Sequence, residues 1–259
     1  MTRQNISFAG AGRVASALCM EMYYSGFNIE VVVSESEKNG RSLTGSCKAL
    51  WSPDLKYPDS TDIIIVAVPD HRLKSVLDKL KCRPETLVVH TAGSIGIDVF
   101  PGHIKHKGIF YPLQTFSKER KVVFKDLPFF LESSDNKSSA ILENIAESIG
   151  GKAHFTDTEH RRMLHLAAVF ACNFTNHMLT EGQALVLKAG FSIEVLRPLI
   201  EETFSKAMEI GPDLSQTGPA VRNDKNTIKK HLELLSFSSE LQRIYKEMTR
   251  SIIKYYNKS

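Results

Sequence analysis

The chain has 259 residues, of which 42% are hydrophobic and 24% charged, and a formal net charge of +4 at pH 7. This composition excludes a disordered or fibrous protein and allows two modest globular domains, each with its own core. The basic residues are dispersed and form no stripe of the kind that binds a phosphate backbone, so we expect no nucleic-acid partner.

We also expect neither a secreted nor a membrane protein. The first strand-like run begins a few residues after Met1, which leaves no room for a secretory signal. The longest apolar run, from Ile63 to Pro69, is too short to cross a bilayer. The cysteines share no metal-like spacing, so we predict reduced thiols, no metal site and a cytoplasmic location.

Strand-like runs alternate with helical segments through the first 155 residues. The predicted strands are 6–9, 29–34, 63–68, 87–91, 108–111 and 129–131, and the predicted helices are 13–26, 71–81 and 137–149. The runs that begin at Ile63 and Leu87 are apolar on both faces, as in central strands covered by helices on each side. The pattern predicts an α/β fold with a doubly wound, Rossmann-type parallel sheet.

After Gly150 the pattern becomes helical nearly to the end of the chain. Thr156 and Glu159 fit a capping box, which predicts a helix from about 157 to 188. A second helix follows, with a kink predicted at Pro198, and an amphipathic helix is predicted over 239–256. We therefore predict a dinucleotide-binding domain over residues 1–155 and a smaller all-helical domain over 156–259. The apolar stripe of the final helix favours a homodimer formed through the helical domain.

The segment Gly10-Ala11-Gly12-Arg13-Val14-Ala15 predicts a strand end, a turn and a helix start. Gly10 would make the tight turn, Gly12 would let the backbone approach a pyrophosphate, and Ala15 would let the helix pack close to its strand. Short glycine turns also join strands to helices for structural reasons alone. The pattern therefore predicts a dinucleotide site only together with its context.

The end of the second predicted strand normally selects the dinucleotide. Here it reads Ser34-Glu35-Ser36. Glu35 could bind the adenosine ribose of NAD, whereas the two serines, with Lys38 and Arg41, could surround the 2′-phosphate of NADP. The sequence leaves both cofactors open.

Turn-forming and polar residues follow three further predicted strands. They are Val68, Pro69 and Asp70, then His90, Thr91 and Ala92, and then Gln114 and Thr115. Turn chemistry explains any one of these groups. Because the carboxyl ends of parallel strands meet at one crevice, the three together favour a site, with the first two groups beside the cofactor and the third beside the substrate.

A polar stripe marks the helix from Arg161 to Thr180. At 100° per residue, Asn176 falls about 20° and Asn173 about 80° from His165. Polar residues on a buried helix need partners, either in neighbouring helices or a dimer mate, or in an interdomain cleft opposite a nicotinamide. In the second case His165 is the candidate proton donor or acceptor, because histidine titrates near neutral pH, and Asn173 and Asn176 assist it.

A polar loop farther along the chain holds Thr217, Arg222 and Asp224. Arg222 is a candidate clamp for an anionic substrate group, with Thr217 beside it. The alternative is a Gly-Pro turn in which Arg222 and Asp224 form a local ion pair.

Together these segments resemble a family of NAD(P)-dependent oxidoreductases that join a Rossmann-like domain to an all-helical domain of unknown function. The resemblance spans essentially the whole chain. It rests on residues 10–15, 67–70, 90–94, 110–116, 164–166, 173–177 and 217–219. It implies transfer of a hydride between NADP or NAD and a small carbonyl or imine substrate.

The layout is more distantly similar to pyrroline-5-carboxylate reductase and to the 6-phosphogluconate and β-hydroxyacid dehydrogenases. The hydroxyacid dehydrogenases place a catalytic lysine on the first helix after the Rossmann domain, and residues 161–187 contain no lysine. Glu35 also stands where the common Ser-Arg-Ser turn for NADP has arginine. The resemblance therefore implies the cofactor and architecture more firmly than the reaction, and leaves open a non-catalytic dinucleotide-binding sensor.

Overall fold

The structure is a computed structural model that describes residues 4–117 and 120–257. Within them the chain forms two compact units, one up to Asn176 and one from His177 onwards. This division lies later in the chain than the predicted domain boundary after residue 155, which stays a prediction. None of the described helices is long and apolar enough to span a membrane.

The first unit is built on an eight-stranded sheet of spatial order β3-β2-β1-β4-β5-β6-β7-β8, and its Rossmann-like architecture confirms the predicted fold class. The order reverses between β1 and β4, which is where ligands bind in such sheets. The strands are β1 (Asn5–Ala9), β2 (Asn28–Val33), β3 (Leu50–Ser52), β4 (Ile63–Val66), β5 (Leu87–His90), β6 (His106–Pro112), β7 (Pro128–Ser133) and β8 (Lys152–Phe155).

One pair of neighbouring strands departs from the predicted parallel arrangement. β6 and β7 pair antiparallel, whereas the other neighbouring pairs are parallel. The described chain between Pro112 and Pro128 holds no helix, and a parallel return would need a crossover. The sequence prediction also missed β3 and β8, which are short and, unlike the equally short β4 and β5, are not continuous buried apolar runs.

Helices cover both faces of the sheet. Alternate residues of β4 enter two separate apolar clusters, Ile63 and Ile65 in one and Ile64 and Val66 in the other, so this strand is buried on both sides, as predicted. The helices of the first unit are α1 (Arg13–Tyr24), α2 (Glu37–Cys47), α3 (Asp70–Lys79), α4 (Asn136–Ser148) and α5 (Thr158–Ala168). Of these, α2 was not predicted.

The capping-box prediction is wrong. Asp157 caps α5, because its carboxylate accepts the backbone N–H of His160 at 2.9 Å. The helix continues through a π-helical stretch, Val169–Phe174, into α6 (Thr175–Lys188), so its predicted extent is confirmed.

Within its described residues, the second unit holds most of α6, a short 3₁₀ helix at Ile193–Leu196 and four further α-helices. Pro198 lies in the first turn of α7, where a missing N–H costs nothing, so it does not kink the helix as predicted. The helices after α6 are α7 (Arg197–Ile210), α8 (Pro212–Ser215), α9 (Lys225–Leu234) and α10 (Ser239–Tyr256).

Candidate functional site

The turn between β1 and α1 requires glycine at position 10. Gly10 has a φ of +111°, and a Cβ atom there would lie 2.3 Å from the carbonyl oxygen of Ala67. Its N–H donates to the carbonyl of Val33 at 2.7 Å. Gly10 therefore lets the turn pack directly on the ends of β2 and β4.

Gly12 is not required by packing. It is the N-cap of α1, a helix with no side-chain cap and no acidic residue in its first turn. A Cβ atom at Gly12 would meet nothing within 4 Å. The positive end of α1 thus has open space beside it, which is the arrangement that an anion such as a pyrophosphate needs.

A cavity of about 450 Å³ lies where the ends of β1, β2 and β4 meet. Eight of the predicted cofactor residues line it, namely Gly10, Ala11, Gly12, Ser34, Glu35, Ser36, Val68 and Pro69. Two further predicted residues lie nearby without lining it. The Val14 side chain packs on the core, and Arg13 lines a neighbouring cavity of about 570 Å³ that also includes Gly12.

At the end of β2 the serine hydroxyls bond within the protein, and the Glu35 carboxylate pairs with an exposed cation. Ser34 Oγ donates to the Ser36 carbonyl at 3.0 Å and accepts from Trp51 Nε1 at 3.1 Å, and Ser36 Oγ caps α2. Glu35 forms an ion pair with Arg72 of α3, which also lines the cavity. Arg72 was not predicted from the sequence, because it lies 37 positions after Glu35 and the two meet only in the folded chain.

Two cations near this turn, Lys38 and Arg41, were predicted as possible partners of a 2′-phosphate. Arg41 donates to Glu37 at 2.6 Å and lies 4.7 Å above the Trp51 ring, so its guanidinium is committed to these contacts. Lys38 does not line the cavity.

His90, at the end of β5, and the next residues Thr91 and Ala92 do not line this cavity, and their assignment to the cofactor stays a prediction. His90 is fully buried, stacks on Phe100 at 5.4 Å, and accepts the Ala92 N–H at Nδ1 over 3.2 Å. Burial lowers the pKa of His90 to about 3, with the charge of Arg161 adding to the effect. The neutral imidazole therefore holds the turn and is not presented to a ligand.

Asp70, the first residue of α3, also has a structural partner. Its carboxylate accepts a hydrogen bond from Ser94 Oγ at 2.6 Å. Asp70 does not line the cavity. This hydrogen bond ties the start of α3 to the loop after β5.

A buried arginine anchors α5 to the sheet. Arg161 is fully buried, forms an ion pair with Glu132 of β7, and donates to the carbonyl of Ile95 at 2.5 Å. Thr158 donates to the same Glu132 at 2.9 Å. Burial lowers the pKa of Arg161, and the Glu132 carboxylate opposes that shift. Sequence analysis missed Arg161, although a cation near a helix N-terminus, where the dipole disfavours it, indicates a specific partner.

This anchoring brings His165 to the end of β6. The Tyr111 hydroxyl lies 3.1 Å from His165 Nδ1, and the two rings meet edge to face with centroids 5.9 Å apart. Burial raises the pKa of Tyr111, with Asp70 reinforcing and Arg161 opposing this effect, so the phenol is protonated at neutral pH. The sequence analysis singled out the segment that contains Tyr111 but not this side chain.

The predicted polar stripe is not supported. Asn173 lies in the π-helical stretch and Asn176 just after it, so angles calculated at 100° per residue do not apply across this segment. Both side chains are exposed, and Arg161 is the buried residue among those of 158–188. In the single chain this helix is therefore largely exposed, and the roles of Asn173 and Asn176 stay predictions.

The predicted substrate residues lie in two exposed loops. Gln114 Oε1 accepts the N–H of Thr115 at 2.8 Å, which closes a local turn after β6. Thr217 and Arg222 belong to the second unit and are exposed. Asp224 caps α9 through the N–H of Thr227, and no ion pair joins it to Arg222 among the described residues. Hydrogen bonds from Thr227 lower the pKa of Asp224, and the charge of Arg222 contributes.

The described residues contain no group of three or more His, Cys, Asp or Glu side chains placed to hold a metal ion.

Two sequence families match the chain. Residues 5–93 match the family "NADP oxidoreductase coenzyme F420-dependent", and residues 127–252 match a domain of unknown function, DUF2520. No curated protein matches the sequence significantly.

Solved structures agree with this result. A presumed NADP oxidoreductase from Bacteroides fragilis is 40% identical, with a TM-score of 0.89 over 97% of this chain and 98% of that one. A protein from Thermotoga maritima is 22% identical, with a TM-score of 0.70 over 98% and 100% of the two chains. A pyrroline-5-carboxylate reductase from Coxiella burnetii, at 17% identity and a TM-score of 0.59 over 99% and 98%, shares the fold. The chain therefore belongs to the family of NAD(P)-dependent oxidoreductases that join an NADP oxidoreductase domain to a C-terminal domain of unknown function.

Proposed function

We propose that this oxidoreductase uses NADP(H) to interconvert a small carbonyl or imine compound and its reduced form. The nicotinamide, when bound, supplies or accepts the hydride. The observation that carries the proposal is the open space beside Gly12, at the uncapped N-terminus of α1 and next to a cavity of about 450 Å³.

The residues around this cavity fit a dinucleotide. The backbone from Gly10 to Gly12 and the α1 N-terminus would hold the pyrophosphate. Glu35 and Arg72 would meet the adenosine end, where β2 stops. Val68 and Pro69 would add apolar contact from the end of β4.

The choice of NADP(H) depends on the Glu35–Arg72 ion pair. The two side chains are 78% and 45% exposed, respectively. An exposed ion pair stabilises a protein by only about 0–1 kcal/mol, so Arg72 can exchange the carboxylate for a ligand group at small cost. A guanidinium binds a phosphate through charge-assisted hydrogen bonds, which is the chemistry that a 2′-phosphate requires. The NADP oxidoreductase family match supports the same choice.

His165 would carry the proton that accompanies reduction. Its ring lies beside Tyr111 of β6 and Gly93 in the loop after β5, and β5 is the neighbour of the cavity strand β4 in the sheet. When the carbonyl or imine carbon is reduced, its oxygen or nitrogen needs a proton, and an imidazole can supply it at neutral pH.

Roles for six further residues remain proposals from the sequence. Asn173 and Asn176 would orient the substrate, Gln114 and Thr115 would contact it, and Thr217 and Arg222 would hold an anionic group on it.

Calorimetric titration with NADPH and with NADH tests the cofactor site. We expect micromolar binding of NADPH by the natural chain and its loss in Gly12→Asp, because the new carboxylate would occupy the pyrophosphate space. Gly102→Asp is the matched control, since a Cβ atom at Gly102 also meets nothing within 4 Å. Failure of the natural chain to bind either dinucleotide would contradict the proposal, as would equal binding by Gly12→Asp.

The same titration shows whether the site prefers NADPH or NADH. Arg72→Met should weaken NADPH binding about 10- to 100-fold, because a charged hydrogen bond contributes roughly 1.5–3 kcal/mol, and should barely change NADH binding. Glu35→Gln should strengthen NADPH binding by removing a like charge. If Glu35→Gln instead weakens NADH binding, Glu35 holds a ribose hydroxyl and the cofactor is NAD(H).

We also propose a homodimer formed through the helical region. Helices α7 and α10 carry large apolar side chains that are more than half exposed, among them Leu199, Met208 and Met248. Such surface favours association. Light scattering at micromolar concentration should give twice the mass of the 29.0 kDa chain, and a monomer mass would refute the proposal.

A further inference from the structure

We infer that Tyr111 is a positioning residue that holds the His165 ring through Nδ1, so that Nε2 alone exchanges the proton with the substrate. This inference rests on the proposed function, in which His165 carries that proton. Its basis is the 3.1 Å contact between the Tyr111 hydroxyl and His165 Nδ1.

The contact is built into the fold. Tyr111 lies in β6 and His165 in α5, which the buried Arg161 anchors to the carbonyl of Ile95 and to β7. β6 is a strand of the sheet, and the Arg161 contacts tie α5 to it, so the two side chains are held by connected parts of the first unit.

Gly93 makes room for the pair. A Cβ atom at Gly93 would lie 2.7 Å from Tyr111 Cζ and 2.9 Å from His165 Nδ1. Both distances are shorter than real Cβ contacts allow, so a larger residue here would require at least one of the two rings to shift. The loop after β5 therefore has glycine at the one point where the tyrosine and histidine approach each other.

The chemistry explains why Nδ1 needs a partner. In imidazolium both ring nitrogens carry hydrogen, and the Nδ1–H donates to the Tyr111 oxygen. When the Nε2–H bond breaks and an O–H or N–H bond forms on the product, the neutral ring keeps its Nδ1–H and the same hydrogen bond. Solvent then returns a proton to Nε2. In the Nδ1–H tautomer, Nε2 has a free lone pair and can accept a proton, which the imidazolium can then donate. In the Nε2–H tautomer, Nε2 already carries a hydrogen and cannot accept another.

A hydroxyl is well suited to this task. A carboxylate beside Nδ1 would add a negative charge, whereas the protonated phenol orients the ring without one. The arrangement follows the general pattern in which a third group orients a histidine that transfers protons.

The chain offers a matched control. In the second unit the Tyr245 hydroxyl lies 2.8 Å from His231 Nδ1, with ring centroids 5.7 Å apart in the same edge-to-face geometry. Tyr111→Phe and Tyr245→Phe therefore remove the same atom from the same kind of contact, and each leaves the aromatic ring in place.

Nitrogen-15 NMR of the histidine rings tests the inference without cofactor or substrate. The chain has nine histidines, and His165→Gln assigns the signal. At a pH where the ring is neutral we expect the Nδ1–H tautomer at His165, converted largely to Nε2–H in Tyr111→Phe and unchanged in Tyr245→Phe. An Nε2–H tautomer in the natural chain, or no change in Tyr111→Phe, would overturn the inference.

Kinetics give the second readout. With a carbonyl substrate, Tyr111→Phe should lower kcat about 100-fold and leave the Kd for NADPH within about twofold, because a misoriented acid slows proton transfer but not binding. An unchanged kcat would also overturn the inference. If the tautomer changes as expected but the natural chain binds no dinucleotide, the proposed function fails and the hydrogen bond is purely structural.

Discussion

Substitution of the buried arginine that anchors α5 should destabilise the protein strongly. Arg161 is fully buried and its partner Glu132 is only 15% exposed. Arg161→Met fills a similar volume but removes the charge and the hydrogen bond to the Ile95 carbonyl. Glu132 would then be left as a largely buried carboxylate without its cation.

Removing one member of a buried ion pair costs about 3–5 kcal/mol. Glu132 keeps the hydrogen bond from Thr158 and some contact with water, so we expect the lower end, about 3 kcal/mol. For a chain of this size each kcal/mol shifts Tm by roughly 2–4 °C, which gives a fall of about 6–12 °C.

Urea unfolding followed by far-UV circular dichroism measures the effect. Arg197→Met is the control, because the Arg197–Glu194 pair at 2.7 Å is exposed on both sides and its loss should change the free energy of unfolding little. Arg161→Met combined with Glu132→Gln should recover part of the loss, since no unpaired charge remains. A loss below about 1 kcal/mol in Arg161→Met, or no recovery in the double variant, would refute the reasoning.

Three more substitutions test other parts of the structure. Gly93→Ala should lower kcat about 100-fold without weakening dinucleotide binding, because its Cβ atom would displace at least one of the tyrosine and histidine rings; normal kcat would contradict this. Gly10→Ala should lower the free energy of unfolding, measured in urea, by about 2–6 kcal/mol. A φ of +111° is strained for alanine, and the new Cβ atom would lie 2.3 Å from a backbone oxygen. A change under about 1 kcal/mol would show that the turn can shift.

Asp135, the N-cap of α4, accepts from Ser138 N at 2.9 Å, and this bond above all lowers the pKa of its carboxyl. A lowered folded-state pKa stabilises the protein above the unfolded value of about 3.9, and this contribution is lost as pH falls through the folded-state pKa. Asp135→Asn should therefore be less stable than the natural chain at pH 7 by about 0.5–1 kcal/mol, and the difference should shrink below pH 4; a constant difference would contradict the assignment.

The sequence predicted the fold of the first unit well because its signals are local. Uninterrupted apolar runs such as Ile63–Val66 identify central strands, and Gly10 and Gly12 mark the turn into α1. The antiparallel pairing of β6 and β7 could not be predicted in this way. It depends on the connection between them, not on the composition of either strand.

The same distinction between local signals and tertiary contacts applies to the candidate site. The glycine turn and the serine-glutamate turn were predicted as cofactor residues, and both line the cavity. His90 was assigned to the same site on equally good sequence grounds, yet it is buried against Phe100. Position after a strand shows that a residue is near the crevice but not which way its side chain points.

By itself, the sequence determined the α/β class, the glycine turn into α1 and the family, since these depend on periodicity and on residue types close together in the chain. Only the tertiary structure decided that Tyr111 meets His165, 54 positions later, and that Glu35 meets Arg72, 37 positions later. It also decided that Arg161 is buried and that α5 belongs with the sheet. Such contacts form when separate elements pack, and the spacing of residues along the chain does not predict them.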